Sequence, residues 1–390
     1  MLMPTIDIRL FMTAMLALAP VLVSGAEVAS RLSEIQLPAG FSIRVFAGDV
    51  PNARSMAVSD AGVLYVGTRS KDVVYALRDS NGDGQADERY VVARGLDMPN
   101  GVAWHAGALY IAENERIVRL PDIDARLDNP PEPERVYGPL PAETHHGWRY
   151  LAVGPDGWLY VTIGAPCNVC DEGDPFATIA RVRPDGSGFE VYARGIRNSV
   201  GLTWHPETGD LWFTDNGRDW MGDDMPPCEL NRADRPGLHF GFPACHAGSI
   251  LDPEFGETGD CERFQPPIQA LGPHVAPLGL TFLSGEHLPR EYRGQLLIAE
   301  HGSWNRSEKI GYRLMLVTID GDQATDYRPF ATGWLDGEQA WGRPVDVLQL
   351  PDGALLVTDD HAGVIYRITY AAMSAGADIA YDDSNDSVIP

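Results

Sequence analysis

The sequence predicts an all-β fold, a six-bladed β-propeller of four-stranded antiparallel blades, and three observations carry that expectation. An apolar segment, a turn with Asp or Gly and a second apolar segment recur six times along the chain. Helical patterning is nearly absent, which disfavours helical solenoids. Short strands with Gly, Pro and Asp turns, repeated at roughly 40–50 residues, are the signature of propeller blades.

The six copies are MAVSDAGVLYVGTR from Met56, GVAWHAGALYIAEN from Gly101, LAVGPDGWLYVTIG from Leu151, GLTWHPETGDLWFTDNG from Gly201, GLTFLSGEHLPREYRGQLLIAEHG from Gly279 and VDVLQLPDGALLVTDDHAG from Val345. Their second segments begin at Leu64, Leu109, Leu159, Leu211, Leu296 and Leu355, at intervals of 45, 50, 52, 85 and 59 residues. The long fourth interval holds an insertion at about 220–275, rich in Pro, Gly, Asp and Cys, expected to be a disulfide-pinned loop over one face. The propeller domain is expected over residues 27–371, followed by an acidic, polar tail at 372–390 whose composition predicts disorder.

Ahead of the propeller, Arg9 precedes an apolar run from Leu10 to Val23 and the small residues Ser24, Gly25 and Ala26. That order is a secretory signal, with cleavage expected near Ala26. Pro20 and the shortness of the run argue against a membrane span. The expected location is therefore periplasmic or secreted, with no membrane insertion after cleavage. In an oxidising compartment the five cysteines can pair. CNVC, Cys167 to Cys170, reads as a local disulfide, because it follows a strand rather than opening a helix. Cys245 and Cys261 flank a Gly/Asp-rich loop and could pair, leaving Cys228 odd. A zinc site would want more ligands at clustered spacing than CNVC supplies.

The net charge of −25 speaks against nucleic acid and anionic lipid as partners. It also means that any anionic ligand must be held by locally placed Arg and Lys. Hairpin geometry says where these could gather. In each blade the start of the first strand and the end of the second lie at one face. That rule brings the segments Asn52–Ser55, Pro99–Asn100, His145–Arg149, Arg197–Ser199, Val275–Pro277 and Gly342–Pro344 to the same mouth as Thr68–Arg69, Glu113–Asn114, Gly164–Ala165, Asp215–Arg218, Glu300–Arg306 and Asp359–His361. The adjacent histidines of ETHHGWRY thus face Arg197, Asn198 and Arg343 from other blades. Convergent polar groups at a propeller mouth are the makings of a small-molecule site.

The motifs GLDMPNG, HHGWRYLAVGPDGWLYVTIG, VYARGIRNSVGLTWHP, CELN, GFPACH, AEHGSWNRSEKIGY and GRPVDV resemble those of the soluble quinoprotein sugar dehydrogenases. This is the glucose/sorbosone dehydrogenase family that uses pyrroloquinoline quinone (PQQ), and the likeness is closest to its sorbosone/aldose branch. It runs from LPAGFSIRVFA to GVIYRITY. It implies an enzyme that oxidises a small sugar substrate, with PQQ and Ca²⁺ as cofactors and an unidentified electron acceptor. The family's catalytic base, a His four residues before an Arg, falls on His145, with Arg149 as the spaced Arg and His146 as the alternative. The quinone-binding residues fall on Arg197, Asn198 and Arg343. Arg306 takes the place of a further cation, with Lys309 as its alternative, and Asn100 matches a polar rim position. Two backbone carbonyls that hold Ca²⁺ fall on Gly217 and Arg218; oxygen donors suit this hard cation. The acidic residue usual before ELN is Cys228 here, a departure that bears on the metal's surroundings.

Three carboxylates on PQQ call for clustered Arg, and a neutral His can take a sugar hydroxyl proton while hydride passes to the quinone. DSNGDGQADE, Asp79 to Glu88, lacks the Glu and the flanking helices of an EF-hand and reads as a hairpin turn. Trp148, Trp304 and Trp341 are candidates to stack on a flat ligand. Two other readings compete. One is a Ca²⁺-dependent six-bladed propeller lactonase, which would hold its metal with side-chain carboxylates and Asn. The other is a non-catalytic binding propeller.

Overall fold

The computed structural model describes residues 25–256 and 260–371. The signal segment through Ser24 and the tail from 372 lie outside the described residues. Among the described residues no helix is long and apolar enough to cross a membrane.

Six four-stranded antiparallel sheets form the blades, as the repeats predict. Their second strands are Leu64–Thr68, Ala108–Ala112, Leu159–Ile163, Leu211–Asp215, Leu296–Glu300 and Leu355–Asp359, and every residue in all six is buried. A strand covered on both faces by neighbouring blades has no solvent side, so it reads as a continuous apolar run rather than an alternating one. That is why these segments were the most legible part of each repeat.

The first strands, Ala53–Val58, Gly101–His105, Leu151–Val153, Leu202–Trp204, Pro277–Phe282 and Pro344–Gln349, contact their neighbours around the axis. Side-chain hydroxyls bolt adjacent blades together there. Ser55 Oγ donates to the Asn100 carbonyl at 2.6 Å, Thr214 Oγ1 to the Leu278 carbonyl at 2.7 Å and Thr358 Oγ1 to the Arg54 carbonyl at 2.8 Å. Two glycines permit the close approach. A Cβ on Gly201 would lie 2.0 Å from the Leu278 carbonyl oxygen, and one on Gly279 would lie 2.0 Å from Asp346 Oδ1. Asp346 itself is fully enclosed and accepts the Met56 amide at 2.8 Å and the Tyr150 hydroxyl at 3.4 Å, so it joins blades 6, 1 and 3 across the axis. Burial pushes its carboxyl up to about 7.

The ring closes by a device the repeats did not reveal. Blade 6 takes its outermost strand, Phe41–Ala47, from the N-terminal end of the domain, paired antiparallel with the last strand, Val364–Tyr370. The Phe41 ring packs on Tyr292, Phe330 and Tyr370 with centroids 5.0–5.1 Å apart. It therefore ties the first strand to blades 5 and 6 at once.

In blade 4 the third and fourth strands, Pro227–Ala233 and Gln269–Pro273, lie inside the 220–275 stretch, and the excess chain runs between them. Cys245–Cys261 closes that excursion and Cys167–Cys170 closes CNVC, while Cys228 is free and buried. The DSNGDG segment is a hairpin turn between Val74–Arg78 and Glu88–Ala93, with Asp79 accepting the Gly82 and Gly84 amides.

Because Phe41 closes the ring but is only half-buried, Phe41→Ala should lower unfolding free energy by about 2–3 kcal/mol, less than for a fully enclosed aromatic. Equilibrium denaturation measures this; an unchanged midpoint would show that the closing strand contributes little.

Candidate active site at the axial cavity

At the face where first strands begin and second strands end, a cavity of about 580 Å³ opens on the axis. Blade 1 contributes Arg54 and Arg69 to its wall. The segment before blade 3 contributes His145, His146 and Trp148, the segment before blade 4 Arg197 and Asn198, and the one before blade 6 Arg343. The loop after blade 4's second strand supplies Asn216, Gly217 and Asp219, and the one after blade 5's supplies His301, Trp304 and Asn305. The wall thus carries four guanidiniums and a single carboxylate, the reverse of the chain's overall charge.

Carboxylates hold these guanidiniums in place. Asp360, buried just behind the wall, bonds Arg54 Nη1 at 3.1 Å and His301 Nε2 at 2.7 Å, with Arg69 at 3.7 Å. Burial opposes its ionisation, but His301 and the two arginines hold its carboxyl well below the usual carboxylate range. Asp219 bonds Arg197 Nη2 at 3.1 Å. The Arg197 guanidinium also donates to the carbonyl and side-chain oxygens of Asn168 and to the Asn216 carbonyl. The backbone amides of Arg197 and Asn198 donate to Asp215 at 2.9 and 2.7 Å. Burial and the adjacent Glu229 push Asp215 up to about 8. Arg343 donates to the His301 and Gly302 carbonyls and lies over Tyr312, 5.4 Å from its centroid. Arg69 lies over Trp148 at 4.8 Å, which accounts for that tryptophan's place.

The two histidines differ in what holds them. His146 adopts a left-handed backbone, φ 53°, and its Nδ1 lies 2.8 Å from the Ala165 carbonyl. A carbonyl only accepts, so Nδ1 carries the hydrogen and Nε2 keeps a free lone pair. Burial, then Arg197 and His145, push His146 well below the ordinary histidine range. His145 is more exposed, its ring 4.2 Å from that of His146, and burial and Arg197 lower it against the opposing pull of Asp219. Arg149 does not enter the cavity. It runs beneath the histidine loop and donates to the Asn114 and Pro141 carbonyls at 3.1 and 2.8 Å.

Of the residues named from sequence, His145, Arg197, Asn198, Arg343 and Gly217 share the cavity. Asn100 and Arg306 are placed elsewhere. Asn100 is 1 % exposed, its oxygen accepting from Arg54 Nε at 2.8 Å and its nitrogen donating to the Arg149 carbonyl at 2.9 Å, so it joins blades rather than facing a ligand. Arg306 turns into the blade 4 loop, donating to the Asp223 carbonyl and to Asp224, and Lys309 donates to the Glu338 carbonyl. The Arg218 side chain turns away to Asp252, 2.5 Å distant, which also accepts from His246. The Gly217 and Arg218 carbonyls accept no hydrogen bond from a described residue, which leaves them free for a hard cation. Trp341 is buried and donates to the Gly333 carbonyl. The sequence reading named neither Asp219 nor His274 at the mouth, since both lie just outside the strand-end windows. It did include Arg54, Arg69, His301 and Asp360, without assigning them roles.

The domain of unknown function DUF7133 matches residues 27–384, and the chain belongs to that family. An uncharacterized protein of Borreliella burgdorferi is 30% identical over 373 residues, covering 92% of this chain and 96% of that one. The fold is also that of the soluble PQQ-dependent sugar dehydrogenases, as the motifs led us to expect. The PQQ-bound aldose sugar dehydrogenase of Streptomyces coelicolor superposes with a TM-score of 0.61 at 20% identity, over 86% of this chain and 100% of that one. The calcium structure of a family AA12 carbohydrate-active enzyme from Trichoderma reesei gives 0.75 at 19% identity, over 86% and 97%.

Asp360→Asn would strip a buried partner from Arg54 and should destabilise the protein by about 3–5 kcal/mol at neutral pH. Because its folded pKa is depressed, Asp360 stabilises above the ordinary carboxylate range and loses that contribution only as pH falls toward the folded value. The gap between wild type and variant in chemical denaturation should therefore persist at pH 5.

Proposed function

We propose that this protein is an exported PQQ- and Ca²⁺-dependent dehydrogenase that oxidises an aldose or related sugar aldehyde. One observation carries the reading. In a chain of net charge −25, the axial cavity presents four guanidiniums beside an imidazole held neutral in one tautomer. An excess of fixed cations in a concave site suits a small polyanion, and PQQ is a planar tricarboxylate. The sugar-oxidising relatives on the same fold support the choice of substrate class.

Arg69, Arg197 and Arg343 would hold the carboxylates and oxygens of PQQ, and the Gly217 and Arg218 carbonyls would hold Ca²⁺. When bound, the pair supplies a hydride acceptor polarised by a cation. The chain supplies the base. The motif spacing names His145, but the geometry favours its neighbour. His146 has its tautomer set by the Ala165 carbonyl and a bare Nε2, the arrangement of a base with its orienting partner. Nε2 accepts the proton of the reacting sugar hydroxyl, and the Nδ1 hydrogen bond steadies the imidazolium that forms. Burial keeps His146 neutral beforehand, and Arg197 adds to this by opposing a second positive charge. The lactonase reading calls for side-chain carboxylates and Asn on the metal, whereas among the described residues the one carboxylate in the cavity wall, Asp219, bonds Arg197.

Adding PQQ and Ca²⁺ to the purified protein should produce the bound quinone spectrum and aldose-dependent dye reduction; neither appearing would end this reading. His146→Ala should lower turnover by roughly 10²–10⁴-fold while PQQ uptake is kept, and His145→Ala should cost less; the reverse order would return the role to His145. Because the folded pKa of His146 is depressed, the base stays neutral through mild acid. The acid limb of kcat/KM should then fall below about 6.5, the free-histidine value. Arg343→Ala should weaken PQQ uptake by roughly 10–100-fold, the loss of charge-assisted hydrogen bonds, read by equilibrium dialysis.

A further inference from the structure

Two tryptophans stand exposed at the edge of the cavity. Trp220 is 70% and Trp304 66% exposed, and their rings meet edge to face, 5.5 Å between centroids at 86°. Trp304 also lines the cavity, so the pair continues the cavity wall outward. Exposed indoles are costly to leave in water, and a contiguous pair beside a polar mouth marks a binding surface.

The pair is also built rather than left over. Trp220 holds a left-handed backbone, φ 70°, a strained state for a bulky residue. The two loops that carry the indoles are stitched together. Asn305 Nδ2 donates to Asp219 Oδ1 at 2.8 Å, the Ser307 amide to Asp223 Oδ1 at 3.1 Å, and Arg306 to Asp223 and Asp224. Asp219 passes the connection inward, since its other oxygen bonds Arg197 inside the cavity. The rings are thus held in a fixed relation to the reacting site. Asn305 keeps its side-chain oxygen without a partner.

We infer that Trp220 and Trp304 form a platform for a second sugar ring, so that the site takes oligosaccharides by their reducing end in preference to free monosaccharides. This rests on the sugar-oxidising reading of the cavity. A pyranose has apolar C–H faces that lie on an indole and hydroxyls that seek carboxylate oxygens, and here the loops that carry the indoles also carry Asp219, Asp223 and Asp224. The same carboxylates repel an anionic occupant, which counts against an acidic partner protein. Continuity with the cavity favours a chain whose terminal unit is already inside.

The test uses the full protein without cofactors first. Cellotetraose and maltotetraose are titrated against intrinsic tryptophan fluorescence, with glucose as the monosaccharide comparison. At least one tetraose should shift the emission saturably where glucose does not, and Trp220→Ala and Trp304→Ala should each weaken that binding roughly three- to tenfold. If neither tetraose perturbs the fluorescence, or if both variants bind as wild type does, the platform is overturned. A second measurement uses protein loaded with PQQ and Ca²⁺. Trp220→Ala should raise KM for the tetraose and leave glucose oxidation and the dye's KM unchanged. An effect confined to the dye's KM would make the pair an acceptor site and overturn the proposal. Tetraose binding without any sugar oxidation would instead sink the dehydrogenase reading and keep the platform.

Discussion

Guanidiniums can share one mouth only if something relieves their mutual repulsion without cancelling it. Here two carboxylates do so, one behind the wall and one within it. Asp360 is shared by Arg54, Arg69 and His301, and Asp219 holds Arg197. Each fixes the direction of a side chain that would otherwise seek water. Two carboxylates against four guanidiniums still leave an excess of positive charge facing the cavity. In an enclosed volume that excess is felt at lower dielectric than on the surface. It is therefore the property on which the proposed ligand choice depends, and it adds to burial in keeping His146 neutral.

The ring makes that arrangement possible, since no blade alone supplies more than two of the arginines. Neighbouring blades are joined by hydroxyl-to-carbonyl bonds from Ser55, Thr214 and Thr358, and by Asn100 between Arg54 and the Arg149 carbonyl. Distances across the mouth are thus set by contacts between blades. Asn100 shows how scaffold and site merge: it orients Arg54 while joining blades 2 and 3. Loops positioned by such a scaffold are where binding residues belong.

The blades were legible because their second strands are buried on both faces and must be apolar throughout. Closure by Phe41–Ala47 was not, because a strand that alternates between exposed and half-buried positions gives no sign of which distant strand it will join. At the site, strand-end arithmetic brought Arg197, Asn198 and Arg343 together correctly, because hairpin geometry fixes where a backbone segment lies. It does not fix where a long side chain points. Arg306 shares the rim with Trp304 yet bonds outward to Asp223, and Arg149 passes under the histidine loop. The geometry behind the proposed preference for His146 over His145 was hidden for a related reason. The left-handed turn at His146 breaks the regular spacing, and the carbonyl that sets its tautomer comes from Ala165, nineteen residues on.

Cys228 shows how a change at one position is absorbed elsewhere. It stands where the resemblance led us to expect an acid, next to the loop whose carbonyls are free. Burial pushes its thiol up to about 12, so it is uncharged at neutral pH. A carboxylate there would have offset one of the four arginines; a thiol leaves the excess intact. The insertion also restrains the loop, since its Asp252 bonds Arg218 and His246. Asp252 is held down to about 2 by those two partners against the push of burial, and its other oxygen accepts the Glu254 and Phe255 amides. The Cys245–Cys261 bridge closes the same excursion. The insertion thus anchors the candidate cation loop from outside the cavity, through a carboxylate whose charge is consumed by Arg218 rather than presented to the ligand.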